Sequence, residues 1–214
     1  MGKPDMPDVQ HYITAGCSIS KGVVRSMQRT LFENKKDTLH DFLLSVYRHF
    51  QIDYPKFYKM DHLSKLGFLS AELLLKDELA KRQYRPEQVS IVLSNANASL
   101  DADLNYWQSV KNIASPALFV YTLPNIVIGE ICIRNNFKGE NAFFVQESFD
   151  AAFMHFYVND LMDRHSTELS ICGWIDVLGE EYKAVLYLVD KKTSDGARLF
   201  SVDNIKNFYD LANG

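Results

Sequence analysis

The chain has 214 residues, of which 47% are hydrophobic and 23% charged, and its formal net charge at pH 7 is −4. This apolar content is ordinary for a globular protein with a sizeable core, and the length favours one domain, here 1–214 with residues 1–10 as a polar tail. A weakly negative chain without a basic cluster argues against nucleic acid or an anionic membrane surface as a partner.

The first half of the chain alternates predicted strands with predicted helices. A short strand covers His11–Ile19, and the second part of Ser26–Phe50 has the apolar spacing of a helix. A stronger helical pattern covers His62–Lys81 and is broken at Pro86. The apolar run Gln88–Ser94 then predicts a buried strand.

The second half continues the alternation and ends in a hairpin. Pro116–Glu130 predicts a packed helix, Ala142–Gln146 a strand, and Ser148–Asp163 a further helix. The apolar runs Leu169–Val177 and Tyr182–Asp190 are separated by Gly179-Glu180, which is typical of a hairpin. Strands separated by helices predict an α/β fold with a mainly parallel sheet covered on both faces, to which the hairpin adds an antiparallel strand.

Several further site types are disfavoured. The longest apolar runs, such as Ala184–Val189, are far shorter than the ~20 residues of a membrane span. The cysteines, Cys17, Cys132 and Cys172, are odd in number and form no CxxC pair, so neither disulfides nor a zinc site is expected. The sequence contains no glycine-rich phosphate loop and no His pair with metal-ligand spacing. We therefore expect a cytoplasmic protein without metal or cofactor.

The order of these elements and five local segments carry a resemblance to a known family. The segments are Tyr12–Ser20, the F-x-x-M-D pattern Phe57–Asp61, Ser115–Gly129, Lys138–Ala152 and Trp174–Asp176. Together they resemble the first half of a β-ketoacyl synthase, a member of the thiolase-like superfamily. In that family a turn, a strand and a sharp elbow present the acyl-accepting cysteine.

The resemblance covers about residues 11–190 and implies a thiolase-like half with a mixed, mainly parallel five-stranded sheet and helices on both faces. Family members continue for about as many residues again, and that second half supplies both catalytic histidines. The chain therefore resembles a degenerate, chain-length-factor-like member of the family.

Ser148 is the candidate catalytic residue, because counting from the turn at Gly139 places it where the family has its cysteine. A serine hydroxyl is a poor nucleophile unless a base removes its proton. His155 lies seven residues further along the predicted helix, roughly 10 Å away, and is out of reach as that base. The alternative is structural: Ser148 as the N-cap of the helix.

Three residues are candidates for substrate binding. Phe149 follows the elbow, where the family usually has a small residue, and its ring either fills the substrate tunnel or points into the core. Asn95 and Asn97 lie in a loop of small residues and either line a pocket or stabilise a turn.

Three functions remain open. The first is a catalytically silent, chain-length-factor-type subunit of fatty acid, polyketide or aryl-polyene synthesis. It would form a heterodimer with a complete 3-oxoacyl-acyl carrier protein synthase, or associate with itself, and meet the acyl carrier protein indirectly. The second is an active acyltransferase that uses Ser148 with histidines from another chain, and the third is a non-enzymatic acyl or scaffold-binding module. By the resemblance, the partner would pair near Ala142–Gln146.

Overall fold

The computed structural model describes residues 10–27, 29–76, 78, 84–111, 113–164 and 166–212. The strands are β1 (Tyr12–Ser20), β2 (Val23–Ser26), β3 (Arg29–Glu33), β4 (Val89–Asn95), β5 (Asn141–Val145), β6 (Leu169–Leu178), β7 (Glu181–Asp190) and β8 (Arg198–Leu199). The α-helices are α1 (Leu39–His49), α2 (His62–Leu75), α3 (Leu100–Val110), α4 (Pro116–Phe119), α5 (Ile126–Asn135), α6 (Ala151–Arg164) and α7 (Val202–Leu211), with short 3₁₀ helices at Pro55–Lys59 and Pro86–Gln88. Residues 1–9 of the predicted tail and residues 77 and 79–81 of the predicted second helix lie outside the described ranges.

The strands form one mixed sheet. Its order is β3-β2-β1-β7-β6-β4-β5, with β8 paired to β1, which makes eight strands. β4 is parallel to both β5 and β6, whereas β7 is antiparallel to β6 and to β1. In the core of β5, β4, β6, β7 and β1, every strand except β7 therefore runs in the same direction. The expected mixed sheet with helices is confirmed, but in the described residues it has eight strands instead of the five expected, because β2, β3 and β8 extend it beyond β1.

The sequence did not reveal β2 and β3. Both lie between the predicted strand His11–Ile19 and the helix α1, where no element was predicted. They continue the sheet beyond β1 as antiparallel strands. β3 is exposed or half-buried along its whole length, so its residues show no apolar alternation. A short polar edge strand carries too little periodic signal to be recognised from sequence.

Both faces of the sheet are covered by helices, as expected. Along β7, Ala184, Leu186 and Leu188 belong to the apolar cluster that contains α1, α2 and α5. The alternate residues Val185 and Tyr187 belong to a second cluster with α6 and α7. This strand is buried on both faces, which explains its continuous apolar sequence. The described residues contain no helix with the length and apolar content needed to cross a membrane.

Arg134 of α5 connects this helix to Glu72 of α2 and to the backbone of Asp53; we call these contacts the Arg134 clasp. The Arg134 guanidinium donates to both carboxylate oxygens of Glu72, at 3.1 and 3.0 Å, and to the carbonyl oxygen of Asp53 at 3.1 Å. The same group lies 5.2 Å from the centre of the Tyr54 ring. Bidentate, charge-assisted pairs of this kind are among the stronger polar contacts in proteins.

We expect Arg134→Met to lower the free energy of unfolding by about 1–3 kcal/mol, because Glu72 and the Asp53 carbonyl lose their partner. Urea unfolding followed by circular dichroism measures this change. Arg48→Met is the matched control, since Arg48 is exposed at the end of α1, and it should change stability by less than about 0.5 kcal/mol. Equal effects of the two variants would show that the clasp does not stabilise the fold.

Candidate functional site

Ser148 lies at a corner between a strand and a helix, as the sequence predicted. β5 ends at Val145 and α6 begins at Ala151, and Ser148 is exposed between them. The chain enters β5 through Gly139, which lies against the backbone of β4. A Cβ atom at this position would be 2.3 Å from the carbonyl oxygen of Val89, so only glycine fits.

The predicted start of the helix at Ser148 is wrong. Asp150 is the residue that caps α6: its Oδ1 accepts hydrogen bonds from the backbone N–H groups of Ala152 and Phe153, both at 2.9 Å. Both serine and aspartate are good N-caps, so residue type alone does not favour Ser148 over Asp150. Ser148 therefore precedes the helix, and the capping role proposed for it falls to Asp150.

Phe149 packs against aromatic side chains of the sheet and of α7. Its ring is stacked on Tyr209 at 4.4 Å and lies edge-on to Trp174 at 6.1 Å, with Tyr187 at 6.4 Å. These contacts turn the half-buried ring towards the apolar cluster between the sheet and α7. A contribution of Phe149 to substrate binding stays a prediction.

The two candidate asparagines have different surroundings. Asn95 is fully buried, and its side chain exchanges hydrogen bonds with the backbone of Ala98, at 2.8 and 3.0 Å, so it stabilises a turn. The Asn97 side chain donates to Asp176 at 2.8 Å, and the same carboxylate accepts from the backbone N–H groups of Ala96 and Asn97. Asn97 borders the cavity at the elbow, and Asn95 does not.

The exposed side of the corner opens onto a cavity of about 480 Å³, within the range of small-molecule sites. We call it the elbow groove and define it by six of its lining residues: Asn97, Ser148, Trp174, Asp176, Lys183 and Tyr209. β6 and β7 supply three of these, α7 supplies one, and the loops after β4 and β5 supply the others. The groove thus joins segments that are far apart in the sequence.

Lys183 is the site residue that the sequence analysis missed. Its Nζ lies 3.3 Å from the centre of the Tyr209 ring and donates to the Tyr209 carbonyl oxygen at 3.2 Å. The pKa of this amine is lowered to about 8, chiefly by burial; Asp210 opposes the shift and Lys21 adds to it. The hairpin contained a signal: the Gly179-Glu180 turn places Lys183 directly opposite Asp176.

His155 has a polar partner, and Cys17 and Cys172 are buried. The His155 Nε2 lies 2.9 Å from the side-chain nitrogen of Asn159, and its ring lies 5.4 Å from that of Phe200. Burial raises the pKa of the Cys17 thiol to about 12, and that of Cys172 also rises. Among the residues whose positions are described, no three His, Cys, Asp or Glu side chains converge as metal ligands.

Comparison with known proteins identifies the fold. No protein-family model and no curated protein sequence matches the chain. Among solved structures, it is similar to "The ishigamide ketosynthase/chain length factor", with a TM-score of 0.61 and 15% identity over 89% of this chain and 64% of that one. It is also similar to a chain of "Ketosynthase (ApeO) in Complex with its Chain Length Factor (ApeC) from Xenorhabdus doucetiae", with a TM-score of 0.59 and 12% identity over 96% of this chain and 92% of that one.

A β-ketoacyl synthase from Burkholderia phymatum STM815 gives a TM-score of 0.59 at 10% identity, over 89% of this chain and 62% of that one. The chain thus spans less than two thirds of the ishigamide and Burkholderia proteins but nearly the full length of the matched Xenorhabdus chain. The implied thiolase-like architecture is confirmed: the chain has the fold of β-ketoacyl synthases and of the ketosynthase–chain length factor structures.

Proposed function

We propose that the chain is a ketosynthase-like subunit that does not condense acyl groups itself and acts in complex with a complete ketosynthase. In this role it resembles a chain length factor, and it meets the acyl carrier protein only through its partner. The partner's cysteine performs the condensation in fatty acid, polyketide or aryl-polyene synthesis, and this chain needs no cofactor and acts in the cytoplasm. The observation that carries the proposal is the open edge of β5.

Within the part of the chain that the structure describes, β5 is the last strand on its side of the sheet, so one row of its backbone N–H and C=O groups has no partner strand there. Its sequence, Asn-Ala-Phe-Phe-Val, contains no charge and no proline. Exposed edge strands usually carry charged residues or prolines, because these residues prevent pairing with other chains. An uncharged, apolar edge is therefore suited to pairing with a second protein.

Aromatic side chains extend this edge onto α6. Phe144 of β5 contacts Phe153 at 4.8 Å and Tyr157 at 4.9 Å, and all three rings are partly exposed. Phe156, the residue before Tyr157 in α6, is 66% exposed, and Val145 at the end of β5 is 56% exposed. Aromatic residues are enriched in the centres of protein interfaces.

A second apolar surface lies on α3, α4 and their loops. Its large exposed side chains include Leu104, Trp107, Ile113, Phe119 and Leu123. Large exposed apolar patches on proteins mark binding surfaces. A partner as large as a ketosynthase provides enough surface to cover one or both apolar regions.

The test compares Val145→Lys with Leu199→Lys, because both side chains are exposed apolar residues in strands and Leu199 lies on β8, away from the β5 edge. The chain is co-expressed with a candidate ketosynthase, and the affinity of the purified pair is measured by isothermal titration calorimetry. A lysine at the edge should weaken the complex at least about tenfold, which corresponds to ~1.4 kcal/mol, whereas Leu199→Lys should leave it unchanged. A wild-type chain that remains monomeric and binds no ketosynthase would contradict the proposal.

A second candidate function, acyl transfer by Ser148, is favoured by one observation: the hydroxyl is exposed in the elbow groove that also contains Lys183. Intact-mass analysis after incubation with an acylated carrier protein distinguishes it from the first. Under the main proposal no adduct forms on Ser148. An adduct that Ser148→Ala removes would establish the enzyme instead, and acyl-chain binding with neither adduct nor ketosynthase complex would favour the non-enzymatic binding module.

A further inference from the structure

A second cavity, of about 160 Å³, lies between the start of α2, the helix α3 and the segment that contains α4. We call it the α2–α3 cavity and define it by six of its lining residues: Met60, His62, Lys65, Ala102, Leu118 and Tyr121. Its described lining residues are all different from those of the elbow groove. The α2–α3 cavity is therefore a separate site, which the proposed function does not use.

Lys65 brings a buried positive charge to this cavity. The residue is only 5% exposed. In the described part of the chain its ammonium has no hydrogen-bond or ion-pair partner, and it lies 5.9 Å from the centre of the Phe57 ring. Burial lowers the pKa of this amine, while Asp61 opposes the shift and favours the charged form. A buried ammonium without a hydrogen-bond partner destabilises a fold, so its presence beside a cavity points to a ligand.

Two acidic side chains next to the cavity already have partners. Asp61 caps α2, where its Oδ1 accepts a hydrogen bond from the backbone N–H of Ser64 at 3.0 Å. Asp101 lies 3.2 Å from the Nδ1 of His62, and its other oxygen accepts from the backbone N–H of Gly179 at 3.0 Å. Neither carboxylate forms an ion pair with the buried lysine.

The third acid of this region, Glu130, is paired as well. It forms an ion pair with Lys56 at 2.8 Å and accepts a hydrogen bond from the Tyr121 hydroxyl at 3.2 Å. Among the described charged groups that line the cavity, Lys65 therefore remains without a partner at hydrogen-bond distance. Water can solvate its ammonium but cannot neutralise it, whereas a bound anion does both.

We propose that the α2–α3 cavity binds a small monocarboxylate, whose carboxylate accepts a hydrogen bond from the Nζ of Lys65. Met60, Ala102 and Leu118 provide apolar walls for a short carbon chain. The size agrees, because an apolar cavity of about 150 Å³ in another protein holds one benzene molecule, which is similar in size to butyrate. A single lysine near Asp61 matches one negative charge and disfavours dianions such as phosphate.

The experiment titrates the full chain with sodium butyrate at constant ionic strength and follows its backbone signals by two-dimensional NMR. We expect saturable shifts at Ala102 and Leu118, with a Kd of about 1 mM or tighter. The uncharged 1-butanol has the same chain length and should bind at least about tenfold more weakly, because it cannot accept a charge-assisted hydrogen bond as a carboxylate does. Butylammonium should not bind, because Lys65 repels it.

Three variants test the assignment. Lys65→Met should abolish the preference for butyrate over 1-butanol and leave the melting temperature unchanged or higher, because an apolar side chain of similar length replaces a buried charge. Lys59→Met is the matched control, since Lys59 is exposed and does not line the cavity, and its butyrate affinity should equal that of the wild type. Ala102→Leu fills the cavity without changing a charge and should abolish the binding of both ligands.

Three results would overturn the proposal. In the first, butyrate binds no more tightly than 1-butanol or butylammonium. In the second, Lys65→Met binds butyrate as tightly as the wild type does. In the third, the melting temperature of Lys65→Met falls, which would assign the ammonium to the stability of the fold through Asp61. The association with a ketosynthase, tested at Val145, is independent of all three.

Discussion

Gly173→Ala is expected to prevent stable folding. Gly173 lies in the middle of β6 with φ of +146°, and a Cβ atom there would be 2.0 Å from the carbonyl oxygen of Val185 on the neighbouring strand. That oxygen belongs to the sheet backbone and cannot move aside without breaking the pairing of β6 with β7. We expect a loss above about 4 kcal/mol, a large part of the 5–15 kcal/mol that usually stabilises a domain.

The measurement is the yield of soluble protein, followed by thermal unfolding of any material recovered. Gly129→Ala is the matched control, because a Cβ at that position of α5 meets nothing within 4 Å. Alanine should leave stability unchanged or raise it by up to about 1 kcal/mol through its higher helix propensity. A Gly173→Ala protein that melts within a few degrees of wild type would refute the close approach of β6 and β7.

Tyr187→Ala is expected to have the second largest effect and to release α7 from the sheet. Tyr187 is fully buried, and its hydroxyl donates to the carbonyl oxygen of Ile205 in α7 at 2.8 Å. Its ring lies 5.3 Å from Phe208 and 6.4 Å from Phe149. Removing so large a buried ring should cost about 3–5 kcal/mol.

Tyr187→Phe separates the ring from the hydroxyl. It retains the packing and leaves only the Ile205 carbonyl without its donor, so urea unfolding should show a loss of about 1 kcal/mol. The alanine variant should also expose Lys183, since α7 carries the Tyr209 ring that covers this amine. Equal losses of stability in Tyr187→Ala and Tyr187→Phe would show that the hydroxyl, and not the packing of the ring, holds α7 against the sheet.

The sequence was most informative where apolar runs were long and regular. The hairpin was predicted as Leu169–Val177 and Tyr182–Asp190 and is observed as β6 and β7, because two buried strands around a Gly-Glu turn have few alternative arrangements. The turn at Gly139, the strand after it and the corner at Ser148 were likewise predictable, since they follow one another within a few residues.

The sequence-based predictions failed where contacts with residues distant in the sequence determine the structure, or where two nearby residues are equally suited to the same role. β2 and β3 are short and show no regular apolar alternation, and they become strands because the edge of β1 is available for pairing. At α6, the sequence analysis named Ser148 as the cap, but in the folded chain Asp150, two residues further on, caps the helix. Asn95 and Asn97 looked alike in sequence, but only Asn97 meets Asp176, 79 residues away.

The sequence by itself determined the α/β order of elements, the resemblance to a ketosynthase half and the position of Ser148 after a strand. These follow from periodicity and turn chemistry, which act over a few residues. Only the tertiary structure decided that Ser148, Asp176 and Lys183 share one groove and that Lys183 has a lowered pKa. Burial depends on which distant segments cover a side chain, here α7 through Tyr209, and local sequence does not contain that information.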